Sequence, residues 1–158
     1  MCKFASFVLT KGEEFWSDKS DSHEAIIVEH GLHSDGAHGP NILRVEISPT
    51  DKIKIWPSLK AWAYRVDQDR MPEWFDALEC EKRTRAALVR RYKNGFSSVY
   101  ASGCTSLTTL DAGKAGSVDA RRCTSLTTLD AGKAGYVYAR RCNPALKIIA
   151  PKDATIIR

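Results

Sequence analysis

The sequence predicts an α+β fold: a small antiparallel sheet with two helices over residues 1–95, followed by a short three-coil β-solenoid over residues 96–158. Three observations carry this. Residues 104–122 and 123–141 are the same nineteen residues twice over, differing only at Ser117/Tyr136 and Asp119/Tyr138; so short and close a period marks stacked coils. The front part mixes period-two alternation with stretches of 3.6-residue spacing. The charge also divides there: 15 basic residues balance 15 acidic ones up to residue 95, and 9 basic against 4 acidic beyond it hold the whole net charge of +5.

The first strand is expected within CKFASFVL (2–9). Ser20-Asp21-Ser22 supplies N-cap chemistry for a helix over 22–30, and Gly31 suits its left-handed C-cap. Residues 31–41 read as loop from their Gly, Asn and Pro content. Leu43, Val45 and Ile47 alternate with Arg44 and Glu46; Ile53 and Ile55 alternate with lysines; Trp62, Tyr64 and Val66 alternate in turn, all read as strands of the small sheet. Pro72 is read as opening the longest helix, 72–93, since proline is tolerated in a first turn. Its early acids and late Arg90, Arg91 and Lys93 suit the helix dipole. Its apolar stripe is read as Trp74, Leu78, Arg85, Leu88 and Tyr92, with Ala77 and Thr84 alongside. Glu81 falls inside it and is expected to pair with Arg85 at i,i+4.

Aligning the repeat on Cys104, Cys123 and Cys142 shows that it extends past the two matching copies. Val99, Val118, Val137 and Ile156 recur every nineteen residues, as do Leu110, Leu129 and Ile148. One coil cannot bury its own inward side chains; stacked coils can, at a strand spacing of about 4.8 Å. Cys, Val, Leu and Ala should then form inward ladders, the cysteines acting as small buried hydrophobes. Three coils leave exposed ends, and the helix at 72–93, running directly into the first coil, is the natural cap.

The motif Cys104-x-x-Leu107-x-x-Leu110-x-Ala112 and its copy Cys123-x-x-Leu126-x-x-Leu129-x-Ala131 resemble the leucine-rich-repeat superfamily, in its short cysteine-containing β-solenoid form. The repeat is slightly shorter than is usual there and lacks the asparagine at the ladder turn. FWSDKSDSHEAIIVEHGL, ILRVEISP and YRVDQDRMPEWFD, within residues 3–92, resemble small accessory proteins of phages and prophages. That resemblance implies a phage-derived inhibitor or adaptor that binds a host protein in the host cytoplasm.

Composition fits a soluble globular chain, 43% hydrophobic and 27% charged, with no apolar run long enough to cross a membrane and no secretory signal, so a cytoplasmic location is expected. Five cysteines without CxxC spacing point neither to a disulfide framework nor to zinc. No catalytic residue, metal site or cofactor is assigned. In each coil, positions 98/117/136, 100/119/138 and 102/121/140 should project outward, and the differences between the copies fall there. Tyr100, Asp119, Tyr136 and Tyr138 with Arg121, Arg122, Arg140 and Arg141 therefore form the expected binding face of an interaction protein, tyrosine and arginine being the types that dominate hot spots. The arginines, with Lys114, Lys133 and Lys152, also form basic ladders suited to nucleic acid or a nucleotide. An active site in the α+β half is the third reading; it needs a histidine such as His23 beside Asp67 or Asp69, or a free Glu81. His23, His30, His33 and His38 lie close in sequence without a metal-site pattern.

Overall fold

The computed structural model describes residues 5–36, 39–50 and 52–158, without the side chains of 35 and 36. The chain divides into two compact units: Met1–Ser48 with Ala63–Arg90, and Pro49–Trp62 with Arg91–Arg158.

The first unit holds β1 (Ser6–Leu9), β2 (Glu14–Phe15), α1 (His23–Glu29), the two-residue strands β3 (Asp35–Gly36) and β4 (Gly39–Pro40), and β5 (Leu43–Pro49), whose last residue counts with the second unit. The expected strand at 2–9 is seen from Ser6; residues 2–4 lie outside the described ones. β1 runs antiparallel to β2 and to β5, with Phe7 opposite Val45 and Leu9 opposite Leu43. All of β1 is buried, so it reads as an apolar run, whereas β2 is half-buried. Ser22 caps α1, its hydroxyl accepting from the Ala25 N–H, and Gly31 follows at φ 60°. Ile26 packs with Val8 and Ile42 in the core. Residues 31–41, expected as loop, contain the short ladder of β3 with β4.

β6 (Ile55–Trp56) and β7 (Trp62–Val66) come next. β7 completes the sheet in the order β2-β1-β5-β7. The Ile53–Ile55 segment does not join that sheet. β6 pairs parallel with the solenoid, Trp56 lying opposite Leu110.

α2 spans Ala77–Asn94, not 72–93. Pro72 instead starts a turn closed by the Phe75 N–H donating to its carbonyl. Asp76 then caps the helix: its Oδ1 accepts from the Glu79 N–H at 2.8 Å. An aspartate offering that acceptor is a stronger helix start than a proline four residues earlier. The shift also corrects the stripe. Leu78 is 82% exposed, and the buried line is Cys80, Thr84, Ala87, Leu88 and Arg91. Glu81 does pair with Arg85, its Oε1 accepting from Nε at 2.9 Å and Nη2 at 2.7 Å.

The solenoid strands are β8 (Ser98–Tyr100), β9 (Thr109–Asp111), β10 (Ser117–Asp119), β11 (Thr128–Asp130), β12 (Tyr136–Tyr138), β13 (Lys147–Ile149) and β14 (Thr155–Ile157). They form two parallel sheets, β8-β10-β12-β14 and β6-β9-β11-β13. Register is one repeat per rung: Val99, Val118, Val137 and Ile156 stack in one column, Trp56, Leu110, Leu129 and Ile148 in the other. Those columns are fully buried through Val137 and Leu129; Ile148 is half-buried and Ile156 exposed, because no described strand follows β13 or β14. At the other end, Lys54 takes the place of a coil: its carbonyl accepts from the Thr108 N–H at 2.8 Å, as the Thr108 carbonyl accepts from Thr127 at 2.9 Å.

The cysteines bind coil to coil. Cys123 Sγ donates to the Ala101 carbonyl at 3.0 Å and Cys142 Sγ to that of Ala120 at 2.9 Å. Cys104 and Cys123 are buried, as expected; Cys142, in the terminal coil, is half-buried. Burial, with the neighbouring thiols adding to it, pushes Cys123 up to about 12.

Candidate functional site

In β8, β10 and β12 the middle residue is the inward valine, so the residues on either side leave the sheet outward. Tyr100, Asp119 and Tyr138 stand in one outward column, in register; Ser98, Ser117 and Tyr136 stand in the next. All of these except Ser98, together with Val118 and Arg121, line a groove of about 450 Å³. Tyr100, Tyr136 and Tyr138 are all exposed, Tyr136 most so at 56%. Ser98 and Ser117 share a hydroxyl hydrogen bond of 2.7 Å on the adjoining rungs.

Asp119 is outward in register but only 8% exposed. Its carboxylate is covered by Arg121, accepting from the Arg121 backbone N–H at 3.1 Å, from Nε at 2.9 Å and from Nη2. That hydrogen-bonded carboxylate raises the pKa of a guanidinium that is charged in any case. In the next coil Tyr138 replaces the aspartate, so Arg140 has no such anchor.

Beyond the strands, each coil turns on four residues, closed by Cys104 N–H to the Ala101 carbonyl, Cys123 to Ala120 and Cys142 to Ala139. The third residue of each turn has positive φ: Gly103 at 81°, Arg122 at 62° and Arg141 at 59°. Glycine adopts this conformation freely, whereas a residue with a Cβ is strained there by about 1–2 kcal/mol. The first coil makes the turn with glycine, and two coils make it with arginine. Arg121, Arg122, Arg140 and Arg141 with Ser102 line a second, strongly basic pocket of about 420 Å³. Among the described residues the side chains of Arg122, Arg140 and Arg141 make no ion pair or hydrogen bond. Arg121 borders both pockets.

All eight expected residues thus line two adjoining pockets, five in the groove and four in the basic pocket, Arg121 being in both. Lys114 and Lys133 do not join the arginines; they sit in the turns after β9 and β11, next to Gly113 and Gly132. The Asp119–Arg121 pair was not expected. Its only sequence signal is the strand-ending Asp-x-Arg, two residues apart and outward on the same face.

In the first unit His23 does meet Asp67, Nδ1 to Oδ2 at 3.5 Å, while its Nε2 lies 3.1 Å from the Val45 carbonyl. Arg65 bridges Asp67 at 2.7 Å and Glu46 at 2.8 Å. His23 is 1% exposed, and its ring ties α1 both to the Val45 carbonyl of β5 and to Asp67 beyond β7, whose side chain is a third exposed. Glu81 is committed to Arg85. His30 bonds the Trp16 carbonyl at 2.9 Å and packs on Phe15. His38 lies outside the described residues, and among those described no group of three His, Cys, Asp or Glu is placed to hold a metal. No described helix is long and apolar enough to cross a membrane.

Compared with protein-family models, with curated proteins and with solved structures, the chain matches none.

Proposed function

We propose that this is a non-catalytic interaction protein whose binding surface is the outward face of β8, β10 and β12 with the adjoining arginine turns. The observation that carries the reading is the pair of arginines at positive φ. Arg122 and Arg141 recur in successive coils with no counter-charge among the described residues, at a turn that Gly103 makes without strain. Strain that the fold does not require points to a role for the side chain. Both differences between the near-identical copies fall on the same face, where they build the tyrosine groove.

The leucine-rich-repeat-like character belongs to this proposal, as does capping by the last turn of α2. There Arg91 lies 5.3 Å from the Phe96 ring centre and Tyr92 packs edge-on to Phe96 at 5.8 Å. In the context implied by the resemblance to phage accessory proteins, the partner is a host protein in the cytoplasm and the action is inhibition or adaptation. A second reading, nucleic-acid or nucleotide binding, is favoured by one observation: three arginines of the basic pocket lack a partner among the described residues.

The test is capture from host lysate, with nuclease treatment as control, by the wild-type chain and by Tyr136→Ala/Tyr138→Ala. Both tyrosines are exposed, so the variant should keep its unfolding midpoint and lose its partner. Undiminished capture by the variant contradicts the proposal.

A further inference from the structure

We infer that the groove and the basic pocket are the two halves of one site for a nucleoside phosphate, its phosphate held by Arg121, Arg122, Arg140 and Arg141 and its flat ring between Tyr100 and Tyr138. The inference rests on the reading that this face is the binding surface, and it names the ligand chemistry. Charge selects the class. Four guanidinium groups line the pocket and Asp119 neutralises only Arg121, so the local field favours an anion and opposes a cation in the tyrosine groove. Planar, five-donor guanidinium groups match phosphate oxygens in paired hydrogen bonds. The two turn arginines are also held at one height per rung, Arg122 donating its backbone N–H to the Arg140 carbonyl at 2.9 Å.

Spacing selects the ring. Tyr100 and Tyr138 flank Asp119 on the strands to either side, their backbones two strand spacings apart, about 9.6 Å. A flat ring in contact on both faces needs about 7–8 Å between its neighbours, and two stacked rings need about 10.5 Å or more. The slot therefore takes one ring. The shorter Asp119 forms its floor, and a carboxylate has about four acceptor positions, of which Arg121 occupies three. The remaining position can accept from an amino group on the ring edge. Arg121 borders both halves, so the ring and the phosphate meet at a residue fixed by Asp119. Ring stacking on tyrosine beside backbone phosphates on arginine is also how single strands are held, so a free nucleotide and a nucleotide within a strand offer the same chemistry.

Isothermal titration of the full chain at low salt, with AMP, adenosine, pyrophosphate, a ten-residue oligothymidylate and poly-glutamate, tests this. AMP or the oligothymidylate should bind saturably, one site per chain. Arg122→Gly/Arg141→Gly should weaken these ligands and pyrophosphate by at least about tenfold, with no fall in thermal midpoint, because Gly103 already makes this turn. Tyr100→Ala/Tyr138→Ala should weaken the nucleotides about tenfold and leave pyrophosphate within about twofold. A strand tracking the four arginines should show a log–log salt slope near −3, and a free nucleotide a shallower one, which separates the two sources. No saturable nucleotide binding, binding indifferent to the arginine variant, or poly-glutamate bound as tightly as AMP would each overturn the inference. If nucleotides fail while the tyrosines at 136 and 138 still govern partner capture, the ligand class is wrong and the face stands; if both fail, the face is wrong as well.

Discussion

Replacing Leu129 with alanine removes the middle of the column Trp56, Leu110, Leu129 and Ile148. Leu129 is fully buried, with a rung on either side. Losing about three methylene-sized groups forfeits roughly 2.4 kcal/mol of transfer free energy at about 0.8 each. The neighbouring rungs are fixed by strand pairing at a set rise, so the walls close in only partly. A remaining cavity of roughly 45 Å³, at about 24 cal/mol per Å³, adds about 1 kcal/mol. The expected loss is about 3.5 kcal/mol, a large share of the roughly 5–15 kcal/mol that holds a domain. Denaturant unfolding followed by circular dichroism reads it as a lower midpoint at unchanged slope. Ile148→Ala, at the half-buried end of the same column, should lose clearly less, about 1–2 kcal/mol. A loss under about 0.5 kcal/mol at Leu129, or equal losses at the two positions, would refute the winding described.

Gly132→Ala should unfold the solenoid or shift its thermal midpoint steeply: a Cβ there would lie 1.8 Å from the Gly113 carbonyl oxygen, at φ +57°. A thermal melt within a degree or two of wild type would show that the coils do not stack this closely. Thiol reagents should leave Cys104 and Cys123 unlabelled in the native protein and reach half-buried Cys142 slowly, as mass spectrometry of timed samples would show. Because burial raises Cys123 from 9.0 to about 12, the folded chain keeps this proton where the unfolded chain has released it; stability should fall as pH rises from about 9 to about 12, and less so in Cys123→Ala. Equal pH dependence in the two proteins would show that the thiol is not held as described.

What the sequence reveals of this molecule is what recurs. A nineteen-residue period places Val118 over Val99 and Leu129 over Leu110 with no further information, and it places Tyr138 beside Asp119 on the outside. It does not reveal the piece that breaks the wording. Ile53–Trp56 stacks on the first coil through a parallel pairing of residues 54 apart, and nothing in its local pattern separates it from an ordinary strand. α2 shows the competition between two start signals: Pro72 permits a helix, whereas Asp76 supplies the hydrogen bond, so five residues drop out and the apolar line rotates away from Leu78. His23 and Asp67 lie on α1 and just after β7, 44 residues apart, and only the packed sheet brings them together. At the site, residue types and register were legible. The burial of Asp119 under Arg121 was not, because it depends on the direction the chain takes as it leaves β10.

Site-specific photo-crosslinking decides where the partner sits. A photoreactive phenylalanine analogue, which keeps an aromatic ring, in place of Tyr138 on the solenoid face is compared with the same group in place of Val28, which is 81% exposed on α1. After illumination in host lysate, position 138 should yield a discrete adduct that excess unlabelled wild-type chain suppresses, and position 28 should yield none. An adduct from position 28 with none from 138 would place binding on the α+β unit and contradict the assignment of the solenoid face.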